Sequence, residues 1–147
     1  RAGATLSAEI AALRAGETRP ATFAARFGSL ASRFVSGLEG HHGVEDEHYF
    51  PMFAQAEPRL RRGFEILDSD HDAVHGGLAR FTEESRALLH ALTPEADKLS
   101  SDAQFAAETL ERDWTRFHRD LRRHLDDEEE IVIPLMIELS RRGATAA

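Results

Sequence analysis

Residues 41–51 read HHGVEDEHYFP, and residues 124–134 read HLDDEEEIVIP. Both stretches contain a His, a Glu four residues later and a Pro ten residues after the His. Residues i and i+4 of an α-helix lie on one face, so His41 and Glu45 would point to the same side, as would His124 and Glu128. Two such faces turned toward each other would form a metal-binding cage.

The repeat also bears on which of two adjacent histidines is the ligand. His42 could pair with Asp46 by the same spacing, but Leu125 stands at the equivalent position of the second stretch. We therefore predict that His41 is the ligand and that His42 flanks the site.

The composition is that of one globular domain. The chain has 147 residues, 41% of them apolar, and no segment approaches the length of a membrane span. A net charge of −8 argues against nucleic acids and anionic membranes as partners. The chain has no Cys, which excludes thiolate clusters and cysteine nucleophiles. We expect one cytoplasmic domain over residues 1–147 that binds neither nucleic acid nor membrane.

Apolar residues recur every three or four positions in four segments, which predicts four helices and no strand. The predicted spans are about residues 5–16, 21–57, 58–90 and 101–142. We expect an all-α, antiparallel up-down-up-down four-helix bundle. Its inward positions include Leu6, Ile10 and Leu13 on the first helix; Phe23, Phe27, His41, Glu45, His48 and Met52 on the second; Leu60, Phe64, His71, His75 and Leu78 on the third; and Phe105, Leu110, Trp114, His124, Glu128 and Leu135 on the fourth.

Six metal-ligating side chains fall on these inward stripes, about midway along three helices. A lone inward His is usually a core residue with a hydrogen bond. Burying six polar groups together without a cation would cost several kcal/mol each. We therefore predict that a metal ion is held by His41, Glu45, His71, His75, His124 and Glu128.

The motif spacing narrows the kind of metal site. A zinc protease helix needs His-Glu-x-x-His, but Asp72 follows His71. Ferritin-like bundles use Glu-x-x-His, whereas here the His comes first and the spacing is i,i+4. Mixed imidazole and carboxylate ligands with open positions suit iron, with manganese or zinc also possible.

The ordered set of His41-x-x-x-Glu45, Asp70-His71 with His75, and His124-x-x-x-Glu128 resembles the hemerythrin family, in particular its bacterial cation-binding branch. The resemblance covers about residues 3–140. It implies a four-helix bundle with a non-haem site of two irons, joined by an oxide or hydroxide and by the two glutamates, with the histidines as terminal ligands. It also implies a small ligand such as O2, NO or peroxide, in oxygen or iron handling or sensing.

The sequence departs from this family in its first helix, which normally supplies a further His. No His precedes His41, and aligning the first and third predicted helices places Gly3 opposite His71. We therefore expect the metal that faces the first helix to be under-coordinated, completed by water or His48, or partly vacant.

Several function classes follow from this reading. We expect a metal-dependent O2- or ligand-binding protein more than an enzyme, because no acid/base device is evident beyond the ligands. The alternatives are a di-iron protein that consumes peroxide, and a structural or iron-responsive metal domain.

Overall fold

The computed structural model describes residues 2–146, and the side chains of residues 2–142. Its elements are α1 (Ala2–Arg14), α2 (Pro20–Val44), a π-helical segment (Glu45–Tyr49), α3 (Phe50–Ala56), a 3-10 turn (Pro58–Leu60), α4 (Arg61–Ala91) and α5 (Ser101–Ala146). Residues 2–146 contain no strand, which confirms the predicted all-helical class. The packing of α1, α2, α4 and α5 is that expected of a four-helix bundle. No helix in this range is both long and apolar enough to cross a membrane.

Local sequence signals explain where the helices begin and end. Gly16 has a φ of 77°, the left-handed conformation that glycine adopts readily after a helix C-terminus. Pro20 is the first residue of α2, where its missing N–H costs nothing. The Ser100 hydroxyl accepts a hydrogen bond from the Ala103 N–H at 3.1 Å and so caps α5.

The second predicted helix is not a continuous α-helix. Pro51 has no N–H to donate, and upstream of it the Phe50 N–H bonds to the Glu45 carbonyl, five residues back. This π-helical turn inserts one extra residue and rotates the rest of the helix. As a result Phe50 is buried, whereas His48 and Met52, which we expected on the inward face, are exposed.

The described residues form three apolar clusters: two lie at opposite ends of the bundle, and a third of Val74, Leu78 and Leu121 lies between them. The large core is formed mainly by α1, α2, α4 and α5, and it contains Leu6, Ile10, Leu13, Phe23, Phe27, Phe81, Leu88, Leu110 and Trp114. The small core joins α3, α4 and α5, and it contains Phe50, Phe53, Phe64, Leu67 and Leu135. Along α4 and α5, the residues between these two clusters include the predicted ligands His71, His124 and Glu128. The polar centre is thus held between two apolar clusters.

Two further core predictions are wrong. Phe105 is 71% exposed, because the inward positions at the start of α5 are Ala103 and Ala107 and residue 105 lies on the opposite side of that helix. Leu60 is also exposed, because it belongs to the 3-10 turn before α4 and not to the helix itself.

Candidate metal centre

Six side chains from four elements meet between the two cores. They form two groups in which one ligand atom per residue lies within 4.8 Å of the others. The buried group consists of His42, His71, His124 and Glu128, and the open group consists of His41, Glu45 and Glu128. Because Glu128 belongs to both groups, the two candidate metal positions are neighbours.

The buried group is tightly packed. The His42 and His71 rings stack with centroids 3.8 Å apart, and the His124 ring lies edge-on to His42 at 5.4 Å. Glu128 Oε1 lies 3.0 Å from His71 Nε2 and 2.7 Å from His124 Nε2. None of these four side chains is more than 8% exposed. Three imidazole rings and one carboxylate therefore converge in a site shielded from solvent.

The open group lies on the solvent side of the same centre. His41 Nε2 contacts Glu45 Oε1 and lies 3.7 Å from Glu128 Oε2. The His41 side chain is 55% exposed, although Glu45 and Glu128 are buried. Glu45 also links the groups, because its Oε2 lies 3.7 Å from His71 Nε2.

Several buried polar atoms at the centre make no hydrogen bond to the described residues. They are both ring nitrogens of His42, both carboxylate oxygens of Glu45, and Nε2 of His124. His124 Nε2 is only 2.7 Å from Glu128, yet the two atoms are not aligned as donor and acceptor. Orphaned buried polar groups cost roughly 1–3 kcal/mol each. A cation bound between them would satisfy these lone pairs, so the residues present fit a metal.

The electrostatics favour the protonation state that a ligand needs at His42. Burial, helped by the neighbouring His71, lowers the pKa of His42 to about 4, so its ring is neutral at pH 7. Burial and the neighbouring Glu128 raise the pKa of Glu45 to about 8. Burial would raise the pKa of Glu128 as well, but the close contact with His124 and the hydrogen bond with His71 outweigh it and lower that pKa. Two carboxyl groups this close cannot both ionise easily without a cation.

Two aspartates contact the outward-facing nitrogens of the histidines. His71 Nδ1 lies 2.6 Å from Asp46 Oδ1, and His124 Nδ1 lies 3.4 Å from Asp70 Oδ2. In both rings Nε2 is then the nitrogen that faces the centre. A carboxylate behind a metal-binding histidine fixes its ring orientation and tautomer.

The structure brings together five of the six predicted ligands: His41, Glu45, His71, His124 and Glu128. The sixth, His75, is exposed on α4 and belongs to neither group, because it lies one turn from His71 on the side that α4 turns to solvent. His48, our expected substitute ligand, is exposed as well.

We expected His42 only to flank the site, but its side chain is fully buried within the centre. Spacing in the sequence does not distinguish it from His41, whereas the burial that the structure shows for the rest of α2 does. His42 follows the buried Ala31 by 11 residues, about three helical turns, and so shares its face.

Gly3 of α1 does not lie where the alignment of the first and third predicted helices placed it, which was opposite His71. A Cβ atom at Gly3 would lie 2.3 Å from His118 Nε2 on α5, so Gly3 faces His118 and not the metal centre. Neither group contains a residue of α1.

Comparison with known proteins agrees with this geometry. Residues 4–136 match the Hemerythrin HHE cation binding domain, which is nearly the whole chain. Searches of curated proteins and of solved structures gave no match. A His and Glu cluster able to hold a metal is what cation binding by this family requires. The chain therefore belongs to the hemerythrin HHE cation-binding family.

Proposed function

We propose that the protein holds two iron ions, one in the buried group and one in the open group. The observation that carries this proposal is that Glu128 is shared by both groups. Glu45 lies between them as well, since one oxygen contacts His41 and the other lies 3.7 Å from His71. Mixed imidazole and carboxylate donors suit iron, and they would also accept manganese or zinc. His75 is left out of this ligand set because it belongs to neither group.

The proposed role is to bind a small ligand such as O2, NO or peroxide at the open group. This group offers only one imidazole and two carboxylates, and His41 is more than half exposed. Iron would supply an open coordination position and one-electron redox chemistry there. The same exposure favours a second candidate function, which is consumption of peroxide, because solvent-borne substrate can reach the open group directly.

We also propose that successive helices of the bundle run in opposite directions, in up-down-up-down order. Contacts between α4 and α5 support it, because residues later in α4 meet residues earlier in α5: His71 faces Glu128, and Gly77 faces Phe117. The contact of Arg26 on α2 with Glu9 on α1 indicates the same reversal for that pair.

Metal counting on single variants tests the ligand set. The wild-type protein, loaded anaerobically with Fe(II), should bind two ions. We expect His41→Ala to lose the ion of the open group and His42→Ala to weaken the ion of the buried group. His75→Ala is the matched control, an exposed histidine from the same motif, and should still bind two ions. A His75→Ala variant that loses metal as His42→Ala does would contradict the assignment.

Optical spectra of the iron-loaded protein separate the two functions. A stable new absorption on adding O2 or NO supports ligand binding. Repeated loss of added peroxide with multiple turnovers per protein supports the enzyme. In either case the response should vanish in His41→Ala, and an unchanged response would place the reactive position elsewhere.

A further inference from the structure

The open group lies at the floor of a groove formed by α2, the π-helical segment, α3 and α5. Along their contact, α1 and α5 run in opposite directions: Gly3 faces His118, Ser7 accepts a hydrogen bond from Trp114 at 2.8 Å, and Arg14 pairs with Glu108. In this register the described part of α1 reaches no further along α5 than about residue 120, and the stretch that contains Glu128 lies beyond it.

The groove has a volume of about 420 Å³. His41, Glu45 and Glu128 form its polar floor. Its walls are mostly apolar, with Glu129 as their one charged residue, and include Tyr49, Phe53, Leu125, Val132, Ile133 and Met136. This volume falls within the range of small-molecule sites, which combine apolar walls with a few polar groups.

The groove is much larger than O2 or peroxide needs. Ile133 and Met136 remain about half exposed in it, at 49% and 51%. Val132 and Met136 follow Glu128 by one and two helical turns, so the apolar wall extends roughly 12 Å from the metal position. A molecule with one polar end and an apolar body would contact both the floor and this wall.

We propose that the groove binds a small amphiphile, whose carboxylate or other metal-binding head reaches the open group and whose short aliphatic chain lies along Val132 and Met136. This inference rests on the proposed function, because the head needs a metal ion between the floor carboxylates. The apolar wall then determines which chain length binds most tightly, and the metal determines which head group binds.

Calorimetric titration of zinc-loaded protein with straight-chain carboxylates, from acetate to octanoate, tests this. Zinc is used because it undergoes no redox reaction. Affinity should rise roughly two- to fourfold for each added methylene until the chain fills the groove, since a buried methylene contributes at most about fourfold. Metal-free protein should bind none of the series. Affinity that is independent of chain length would overturn the inference.

Two half-exposed residues give a matched pair of variants. Met136→Glu places a charge in the groove wall and should abolish the gain with chain length while acetate still binds. Ile66→Glu makes the same change at a residue that is 50% exposed and does not line the groove, and it should behave as wild type. Equal effects of both variants would contradict the site. Both variants are first checked for wild-type melting temperature and zinc content.

The zinc content also separates this inference from the proposed function. If zinc does not bind, the proposed function fails. If zinc binds but longer chains gain nothing, only the amphiphile site fails. The third outcome is that a second copy of the chain occupies the groove: sedimentation would then show a dimer that Met136→Glu dissociates, which would also overturn the inference.

Discussion

At the scale of single residues, the aspartates behind the histidines should contribute to metal affinity together with the ligands themselves. Asp46 accepts a hydrogen bond from His71 Nδ1 at 2.6 Å if Nε2 is the ligand atom. Asp46→Asn should weaken metal binding about ten- to hundredfold, because such outer partners hold the ring in its binding tautomer. The measurement is zinc affinity by competition with a chelator, together with the His71 tautomer from nitrogen NMR shifts.

Asp72→Asn is the matched control for this prediction. It removes the same charge from an exposed residue next to His71 in the sequence. If the two variants bind zinc equally well, Asp46 does not position His71.

At the scale of helices, two adjacent glycines in α4 should respond in opposite ways to the same substitution. A Cβ at Gly77 would lie 2.2 Å from the Phe117 ring, whereas a Cβ at Gly76 would meet nothing within 4 Å. Gly77→Ala should lower the free energy of unfolding by about 1–3 kcal/mol by forcing α4 and α5 apart. Gly76→Ala should raise it by up to about 1 kcal/mol through helix propensity. Urea unfolding checks both, and effects of the same sign would contradict the α4–α5 packing.

The contact of α4 with α5 also contains an acid pair far from the metal centre. Burial, and then a hydrogen bond with Asp113, raise the pKa of Glu84 from 4.5 to about 7. A carboxyl whose pKa is higher in the folded state favours folding most when protonated. Its contribution to the free energy of unfolding should therefore fall as the pH rises from 4.5 to about 7, and stay level above that. Glu84→Gln should flatten this part of the stability profile measured by urea unfolding, and an unchanged slope would count against it.

At the scale of the whole molecule, the polar centre joins two cores that differ in size. Without metal, its carboxylates and orphaned histidine nitrogens oppose packing between those cores. Zinc at about 100 times its dissociation constant should stabilise the fold by roughly 2.7 kcal/mol per site, or about 5–10 °C in melting temperature.

Hydrogen exchange locates this effect in the chain. On metal removal, amides near the centre and the small core, around Phe64 to His71 and His124 to Leu135, should lose protection first. Amides of the large core, such as those around Ile10 and Trp114, should change least. Uniform loss of protection would show that the centre does not hold the cores together. An unchanged melting temperature after verified metal removal would show the same.

The sequence by itself determined the helical class, the four main helical segments, the family and five of the six residues that meet at the centre. These follow from local chemistry. Apolar spacing of three and four residues indicates helices, and Leu6, Ile10 and Leu13 are buried as their spacing predicts. The doubled His and Glu motif indicates a metal centre because a cation offsets the cost of burying several carboxylates and imidazoles together.

Only the tertiary structure decided which of two adjacent histidines points into the buried group. Successive residues on a helix differ by about 100°, and an inward face is about that wide, so spacing along one helix cannot separate His41 from His42. Packing against α4 and α5 makes that choice: it stacks His42 on His71 and leaves His41 in the open group. The π-helical turn before Pro51, the aspartates behind His71 and His124 and the groove between α3 and α5 likewise depend on neighbouring helices, whose positions no local pattern specifies.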